Sequence, residues 1–295
     1  MPAARPGTLF AAGSIWNQRV EGAAVAPDSD AVSADLRRQA LDTGTWMNTD
    51  RWSVPVYVVG PGQARVTVTD ADDGEMNLPG PWRWGTVPLP PGAVAAAPHP
   101  DGDNHLVVWQ PSTDTMWEFW RFSRTASGPQ ALHGARIDGV SRSDGSIPAP
   151  YGASASGIAV AAGMVTAQDL AAGSIDHALA IGIPETRADA FVAPATRTDG
   201  YVTRASAPVM GSRFRLDPSV DVDALGLPPL TRMVAHAAQR YGIVVRDRSG
   251  SVSFYGDDPV VTGTDPFTPV LAGGEMGEVM RTFPWQHIQL VAPGG

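Results

Sequence analysis

The sequence predicts a mainly β protein: one antiparallel β-sandwich or jelly-roll-like domain spanning residues 1–295, with one packed helix in its C-terminal half. The chain contains 32 glycines and 27 prolines among 295 residues, so it turns often. The segments between these turns are short and rich in β-branched and aromatic residues, as the strands of sandwiches and jelly rolls are. Hydrophobic residues make up 43% of the chain, enough for a packed core.

Two pairs of short segments are predicted to form β-hairpins on either side of the chain's centre. Residues 52–59 and 64–69 flank a Gly-Pro-Gly turn, and residues 243–246 and 251–255 flank Asp-Arg-Ser-Gly. Both linkers have the composition of tight turns, and the flanking segments have that of strands.

A third hairpin is predicted from 105–110 (HLVVWQ) and 115–122 (TMWEFWRF), joined by Pro-Ser-Thr-Asp. A loop with an even number of residues pairs positions whose numbers sum to 225, so that Val107 lies opposite Glu118. One face of this ribbon would then carry His105, Val107, Trp109, Met116, Glu118 and Trp120. The other face would carry Leu106, Val108, Gln110, Trp117, Phe119 and Arg121. We expect the second face to lie on the core and the first to line a cleft.

A short helix and a strand are expected in the middle of the chain. Thr166 and Asp169 have the spacing of a helix-capping pair, and Gly173 ends that helix. Residues 174–183 then read as a strand in which His177 alternates with apolar residues. A histidine in that position is either a buried structural residue or a base whose pKa is tuned by burial.

The one long helix is predicted over about residues 228–241 (PPLTRMVAHAAQRY). Prolines occupy its first turn, and Gly242 follows its last. Leu230, Val234 and Ala237 recur at helical spacing, so one face packs on the core.

Composition excludes several kinds of chemistry. The chain has no cysteine, and all 21 of its basic residues are arginine, so thiol nucleophiles, zinc fingers and lysine Schiff bases are excluded. A net charge of −9 and the lack of an arginine-rich run argue against nucleic acid as a partner. No apolar run is long enough for a membrane span. No cofactor is expected, with calcium at residues 70–75 or 217–223 kept as an alternative.

A carboxylate pair is the first candidate for chemistry. Glycosidic bond cleavage requires two carboxyl groups, one of them an acid with a raised pKa. Glu118 and Asp103 are the expected pair, with His105 and His177 as further candidate catalytic residues. The alternative is that neither residue is catalytic. Glu118 would then lie on a solvated face of the sheet, and Asp103 would belong to an ordinary turn.

The same ribbon suggests how a sugar would be held. Flat indole rings stack on sugar faces while polar groups bind hydroxyls, and Trp109 and Trp120 are therefore expected as platforms. Asn104 and Arg121 are the expected polar contacts.

A polysaccharide lyase is the alternative reaction. Its uronate carboxylate would be neutralised by arginine before a base removes the adjacent proton. His105 or His177 would act as the base, and Tyr151 or Tyr255 as the acid. The candidate arginines are Arg121, Arg136, Arg213 and Arg215.

Several stretches together resemble a group of secreted proteins from actinobacteria and other soil microbes. These stretches are 14–17 (SIWN), 103–105 (DNH), 117–120 (WEFW), 173–179 (GSIDHAL), 211–216 (GSRFRL) and 239–245 (QRYGIVV). The resemblance implies export and a single domain that looks catalytic, without implying a particular reaction. The sequence as a whole therefore predicts a secreted, monomeric glycoside hydrolase acting on a polysaccharide, with a lyase or a non-catalytic carbohydrate-binding or envelope protein as alternatives.

Overall fold

The computed structural model describes residues 9–71, 80–96 and 102–294. The protein is mainly β, with 25% of residues in strands and 21% helical, consistent with a β-sandwich that carries few helices. Within the described residues, no helix is both long and apolar enough to cross a membrane.

Strands run from near the N-terminus to the last residues described. In chain order they are Thr45–Asn48 (β1), Val56–Val58 (β2), Val66–Thr67 (β3), Thr69–Asp70 (β4), Thr86–Val87 (β5), Leu106–Gln110 (β6), Thr115–Trp120 (β7), Ser123–Thr125 (β8), Gly128–Ala131 (β9), His133–Asp138 (β10), Leu179–Ile183 (β11), Arg213–Leu216 (β12), Ile243–Arg248 (β13), Val252–Tyr255 (β14) and Ile288–Leu290 (β15). The α-helices are Ser29–Thr43 (α1), Ala167–Ala172 (α2), Pro229–Arg240 (α3), Pro259–Thr262 (α4) and Met276–Met280 (α5).

Two sheets form the body of the protein. The larger has the strand order β1-β14-β11-β13-β12-β15, and the smaller has the order β10-β7-β6-β2. Pairing is mixed in both, because β1–β14, β11–β13 and β2–β6 are parallel while the other pairs in these sheets are antiparallel. Side chains from both sheets meet in one large apolar core.

The β6–β7 hairpin has the predicted register. Leu106 pairs with Phe119 and Val107 with Glu118, so paired numbers sum to 225 as expected. The expectation that one face would line a cleft is wrong over most of its length. Trp109 is in the large core, and the opposite face of the ribbon packs into a second apolar cluster. The hairpin is therefore a layer between two cores.

The other two predicted hairpins are wrong. β2 pairs in parallel with β6, and β3 pairs with β5, so residues 52–59 and 64–69 do not pair with each other. β13 and β14 do run in opposite directions, but β11 lies between them. Turn residues indicate where the chain reverses direction. They do not indicate whether a third strand lies between the two strands that the turn connects.

The two predicted helices are confirmed as α2 and α3, and the described residues form three more α-helices, α1, α4 and α5. α3 buries Leu230, Val234 and Ala237, and α2 has a capping box between Thr166 and Asp169. Helix α1 was not predicted from the sequence. Its buried face includes serines, an aspartate and a glutamine, so the helix lacks the apolar stripe that reveals an amphipathic helix.

An irregular segment, residues 151–163, crosses the interior between the sheets. From residue 156 onward every residue of this segment is buried, although the segment contains no helix or strand. It approaches β11 closely at Gly163, where a Cβ would lie 2.4 Å from the Ala180 nitrogen and 2.8 Å from Trp16. The core thus includes backbone that makes most of its hydrogen bonds with loops and side chains rather than with the backbone of sheets or helices.

Replacing Gly163 by alanine tests this close packing. Gly163 and Gly173 both have positive φ, +67° and +70°, but a Cβ at Gly173 meets nothing within 4 Å. Gly173→Ala should therefore cost only the left-handed strain, about 1 kcal/mol. Gly163→Ala should cost about 3 kcal/mol or more, because it adds a steric overlap to the same strain. Urea unfolding of both variants measures the difference, and equal costs would contradict the described packing.

Candidate functional site

A cleft of about 440 Å³ opens where the ends of the two sheets meet. The smaller sheet contributes Asp103, His105 and Trp120 from the β6–β7 hairpin and its entry, and β13 of the larger sheet contributes Asp247. Part of the wall between them is the start of the irregular segment, residues 152–155. Acidic, imidazole and aromatic groups therefore converge in one place.

A β-bulge in β13 directs Asp247 into the cleft. Ile181 pairs with Val245 and the next residue, Gly182, pairs with Asp247, so Arg246 is an extra residue in the ladder. Regular alternation would put Asp247 on the same face as Val245, which is buried in the core. The extra residue reverses the alternation and turns Asp247 to the opposite face.

The two cleft carboxylates have different surroundings. One oxygen of Asp103 accepts a hydrogen bond from the Trp120 indole nitrogen at 3.0 Å. One oxygen of Asp247 accepts from the backbone nitrogens of Arg248, at 2.9 Å, and Ala155, at 3.3 Å. Burial raises the pKa of Asp247 to about 7, and the charge of Asp103 adds to the rise while that of Arg246 opposes it. Asp247 is thus a carboxyl group suited to holding a proton near neutral pH.

His105 presents a free lone pair next to these carboxylates. Its Nε2 lies 3.1 Å from the Ala153 carbonyl oxygen, and a carbonyl only accepts, so Nε2 carries the proton. Its Nδ1 is buried and has no hydrogen-bond partner in the described part of the chain. Burial lowers the pKa of His105, with Arg246 adding to the effect and Asp103 opposing it. The ring is therefore neutral, with Nδ1 as an acceptor.

Glu118 lies behind the cleft wall, so the structure does not bring the expected pair with Asp103 together in the cleft. Its side chain has no exposed surface, and its two oxygens accept from the backbone nitrogens of Ala153, at 2.7 Å, and Val160, at 2.9 Å. Burial raises the pKa of Glu118 to about 7, although these two bonds and the charge of Arg246 oppose the rise. Glu118 is positioned to hold the irregular segment rather than to contact a ligand.

Two arginines hold the carbonyl groups of the same segment. Arg246 is fully buried and donates from Nη1 to the carbonyls of Val160, at 2.5 Å, and Ala162, at 3.1 Å. Its guanidinium carbon lies 3.7 Å from the centre of the Tyr255 ring. Arg197 donates to the carbonyls of Tyr151 and Ser154, both at 2.5 Å. The wall of the cleft is thus held in place by charged side chains.

The other expected site residues are dispersed. Trp120 is partly exposed in the cleft, and the Arg121 guanidinium lies 4.9 Å from its ring centre. Asn104, next to Asp103, has a left-handed backbone with φ of 45°. Trp109 is only 3% exposed and does not line the cleft, because both faces of its hairpin are covered.

His177 lies in the interior, away from the cleft. Its Nε2 is 3.2 Å from Oδ2 of Asp169, and its Nδ1 is 2.9 Å from the Ala178 carbonyl oxygen. The side chain has no exposed surface, so it links helix α2 to the start of β11.

The arginines named for a lyase are also engaged elsewhere. Arg213 donates to the carbonyls of Gln18 and Tyr241. Arg215 donates to three carbonyls of residues 20–23, and Arg136 pairs with Asp138.

The two segments considered for calcium, residues 70–75 and 217–223, are both rich in acidic residues. Most of residues 70–75 lie outside the described residues. In residues 217–223, Asp217 and Asp221 accept hydrogen bonds from backbone nitrogens of their own turns. Among the described residues, no group of three or more histidine, aspartate or glutamate side chains is arranged to hold a metal ion.

Sequence reasoning missed Asp247 and Arg246 as site residues. The signal was the charged run Arg-Asp-Arg at 246–248, which follows three apolar residues within one strand. Its composition predicts a strand that ends at Arg246 and a turn over 247–250, whereas the structure has a β-bulge here that faces the cleft.

The fold and the site together define a mainly β protein with a cleft at the junction of two sheets, lined by aspartates, arginines, histidines and Trp120. Comparison with protein-family models, with curated proteins and with solved structures finds no match for this chain.

Glu118→Gln tests the role of Glu118 in holding the segment. The amide nitrogen of glutamine cannot accept a hydrogen bond, so one backbone N–H loses its buried partner, at a cost of about 1–3 kcal/mol at pH 5. The pKa of Glu118 is higher in the folded protein than in the unfolded chain. The stabilisation that Glu118 gives the folded protein is therefore greatest below the unfolded pKa, and it is lost as the pH rises through about 7. The stability gap between the wild type and the variant should therefore narrow from pH 5 to pH 8.

Urea unfolding at a series of pH values measures this gap. Glu278→Gln, at an exposed glutamate of α5, is the matched control and should change stability little at any pH. A Glu118→Gln protein as stable as wild type at pH 5 would contradict the clamping role.

Proposed function

We propose that the protein is a polysaccharide-cleaving hydrolase in which Asp247 and Asp103 are the two catalytic carboxyl groups. The observation that carries the proposal is their convergence on one open cleft from two different sheets, each held by its own hydrogen bonds. Hydrolysis of a glycosidic bond uses such a pair flanking the scissile bond. This pair differs from the one predicted from the sequence, Glu118 and Asp103. Asp247 takes the place of Glu118, because Glu118 has no exposed surface in the cleft.

The two carboxyl groups suit different steps. Asp247, with its raised pKa, donates a proton to the glycosidic oxygen as the bond to the anomeric carbon breaks. Asp103 stabilises the positive charge that develops at that carbon, and the Trp120 N–H fixes the orientation of its carboxylate. Water completes the reaction, and its second proton restores the acid.

The shape of the cleft supports a polymeric substrate. The cleft adjoins a second hollow of about 470 Å³, since Asp103 and Arg248 line both. A chain of sugars would occupy such a groove better than a single sugar would. The proposal includes export of the protein, which the sequence resemblance implies.

A polysaccharide lyase is the second candidate, because the buried Nδ1 of His105 has no hydrogen-bond partner among the described residues. In that reaction His105 would remove the proton next to a uronate carboxylate, and Tyr255, which lines the adjoining hollow, would protonate the leaving oxygen. Products with an unsaturated uronate end absorb ultraviolet light, whereas products of hydrolysis do not.

Asp247→Asn and Asp103→Asn test the hydrolase. Each should lower turnover by about 10²–10⁴-fold, because each removes a group that acts in the bond-breaking step. Wild-type activity should also fall as the pH rises above about 7, since Asp247 then loses the proton that it donates. The measurement is release of reducing ends from a panel of neutral and uronate-containing polysaccharides, with ultraviolet absorbance read in parallel.

Asp176→Asn is the control, because Asp176 is exposed and does not line the cleft. Turnover that survives both cleft substitutions would refute the assignment of the pair. Ultraviolet-absorbing products would favour the lyase. Binding of a polysaccharide without any product would favour a non-catalytic carbohydrate-binding protein.

A further inference from the structure

The second hollow lies beside the cleft on the same face of the larger sheet. It is lined by side chains of β1 and β14 and by the turn before β14. Pairing across four adjacent strands joins Asp247 to Gly182, Gly182 to Ser253, and Ser253 to Trp46. Three strand spacings separate the first residue of this row from the last, roughly 14 Å. The hollow is thus a direct extension of the cleft, long enough for several linked sugars.

We infer that this hollow is a binding subsite for neutral sugar units of the polysaccharide, next to the point of cleavage. The inference rests on the proposed function for its substrate class. It extends that function by assigning recognition to Trp46, Trp52 and Asn48.

Two tryptophans provide flat apolar surfaces in the hollow. Trp46 packs one side of its ring system against Gly277 of α5, where a Cβ would lie 2.3 Å from the ring, and it remains 43% exposed. Trp52 is 37% exposed. Large exposed indoles that share a concave site with polar groups are typical of ligand contacts. Their rings can cover the apolar face of a sugar.

Asn48 supplies an unused polar group in the same hollow. It is only 6% exposed, and no residue in the described ranges takes up the hydrogen bonds of its side-chain amide. A buried amide without partners is costly unless a ligand or water satisfies it. Its donor and acceptor match two neighbouring hydroxyls of a sugar.

The charge of the hollow favours a neutral ligand. Hydroxyl groups of Ser249, Ser251 and Ser253 line it, and these serines bond one another. The one cationic side chain among its lining residues, Arg248, is paired with Asp199 at 3.2 Å. A uronate would therefore find no free positive charge in this part of the site, while a neutral sugar would find hydroxyl partners.

Binding by the catalytically silenced full-length chain tests the subsite. Asp247→Asn protein is run in gels that contain hydroxyethylcellulose, laminarin, galactomannan, arabinogalactan, alginate or polygalacturonate. At least one of the first four, which are neutral or nearly so, should retard it, and the two anionic ones should not. Adding Trp52→Ala or Asn48→Ala should weaken the retardation about tenfold, which corresponds to about 1.4 kcal/mol.

Phe191→Ala is the matched control, because Phe191 is an exposed aromatic outside both cavities. Trp52 lies in a surface turn, so its variant should fold even if a change at Trp46 disturbs the packing on α5. Three results would overturn the subsite. Neither substitution changes the retardation, only anionic polymers retard the protein, or no polymer retards it.

The same proteins separate the two proposals. If the single variants bind normally and wild type still cleaves a polysaccharide, the subsite is wrong and the proposed function stands. If binding depends on Trp52 and Asn48 but wild type releases no product, the subsite stands and the hydrolase is wrong. If both are right, Trp52→Ala will slow cleavage of a polymer more than that of a short oligosaccharide.

Discussion

The constraint on which the rest of the structure depends is the burial of residues 151–163 without regular secondary structure. Every backbone N–H and C=O taken out of water needs a partner. The sheet backbone supplies few of them here: Gly134 of β10 accepts from the Gly152 nitrogen, and the Ala180 nitrogen of β11 donates to the Gly163 carbonyl. Glu118 accepts from two nitrogens of this segment, while Arg246 and Arg197 donate to four of its carbonyls. A carboxylate and two guanidinium groups are costly to bury, and these bonds together with their mutual attraction offset part of that cost. The raised pKa of Glu118 reflects the part that is not offset.

The charged side chains that bond this backbone also determine the electrostatics of the cleft. Arg246 is a fixed positive charge that limits the rise in pKa of both Glu118 and Asp247. Arg246 and Asp247 are adjacent in sequence, and the bulge lets one enter the interior while the other faces the cleft. The same few residues therefore stabilise the fold and position the acidic group. A change at Arg246 would alter both, so loss of activity there would say little about chemistry.

What the sequence could predict was local. The α3 helix, the Thr166–Asp169 capping pair and the register of the β6–β7 hairpin depend on residues within a few positions of one another, and all three are confirmed. The insertion of β11 between β13 and β14 depends on contacts distant in sequence. The cleft depends on them too, because one extra residue reverses the face on which Asp247 lies. Alternation from Val245 would have assigned Asp247 to the core.

The sequence stretches that carry the resemblance contain two kinds of residue, those that hold buried backbone and those that line the cleft. Trp16 is fully buried and donates to the Asp144 carbonyl, Glu118 and His177 bond buried backbone, and Arg213 bonds carbonyls. Of these motifs, 103–105 contributes the most to the cleft, through Asp103 and His105. A chain with so much irregular buried backbone needs polar and aromatic side chains at fixed places to satisfy it, so such residues stand out in the sequence for structural reasons. The residue that completes the proposed site, Asp247, lies just beyond the last of the motifs, 239–245. For a fold of this kind, a side chain becomes a candidate for chemistry only when the backbone around it leaves at least one of its polar atoms unused.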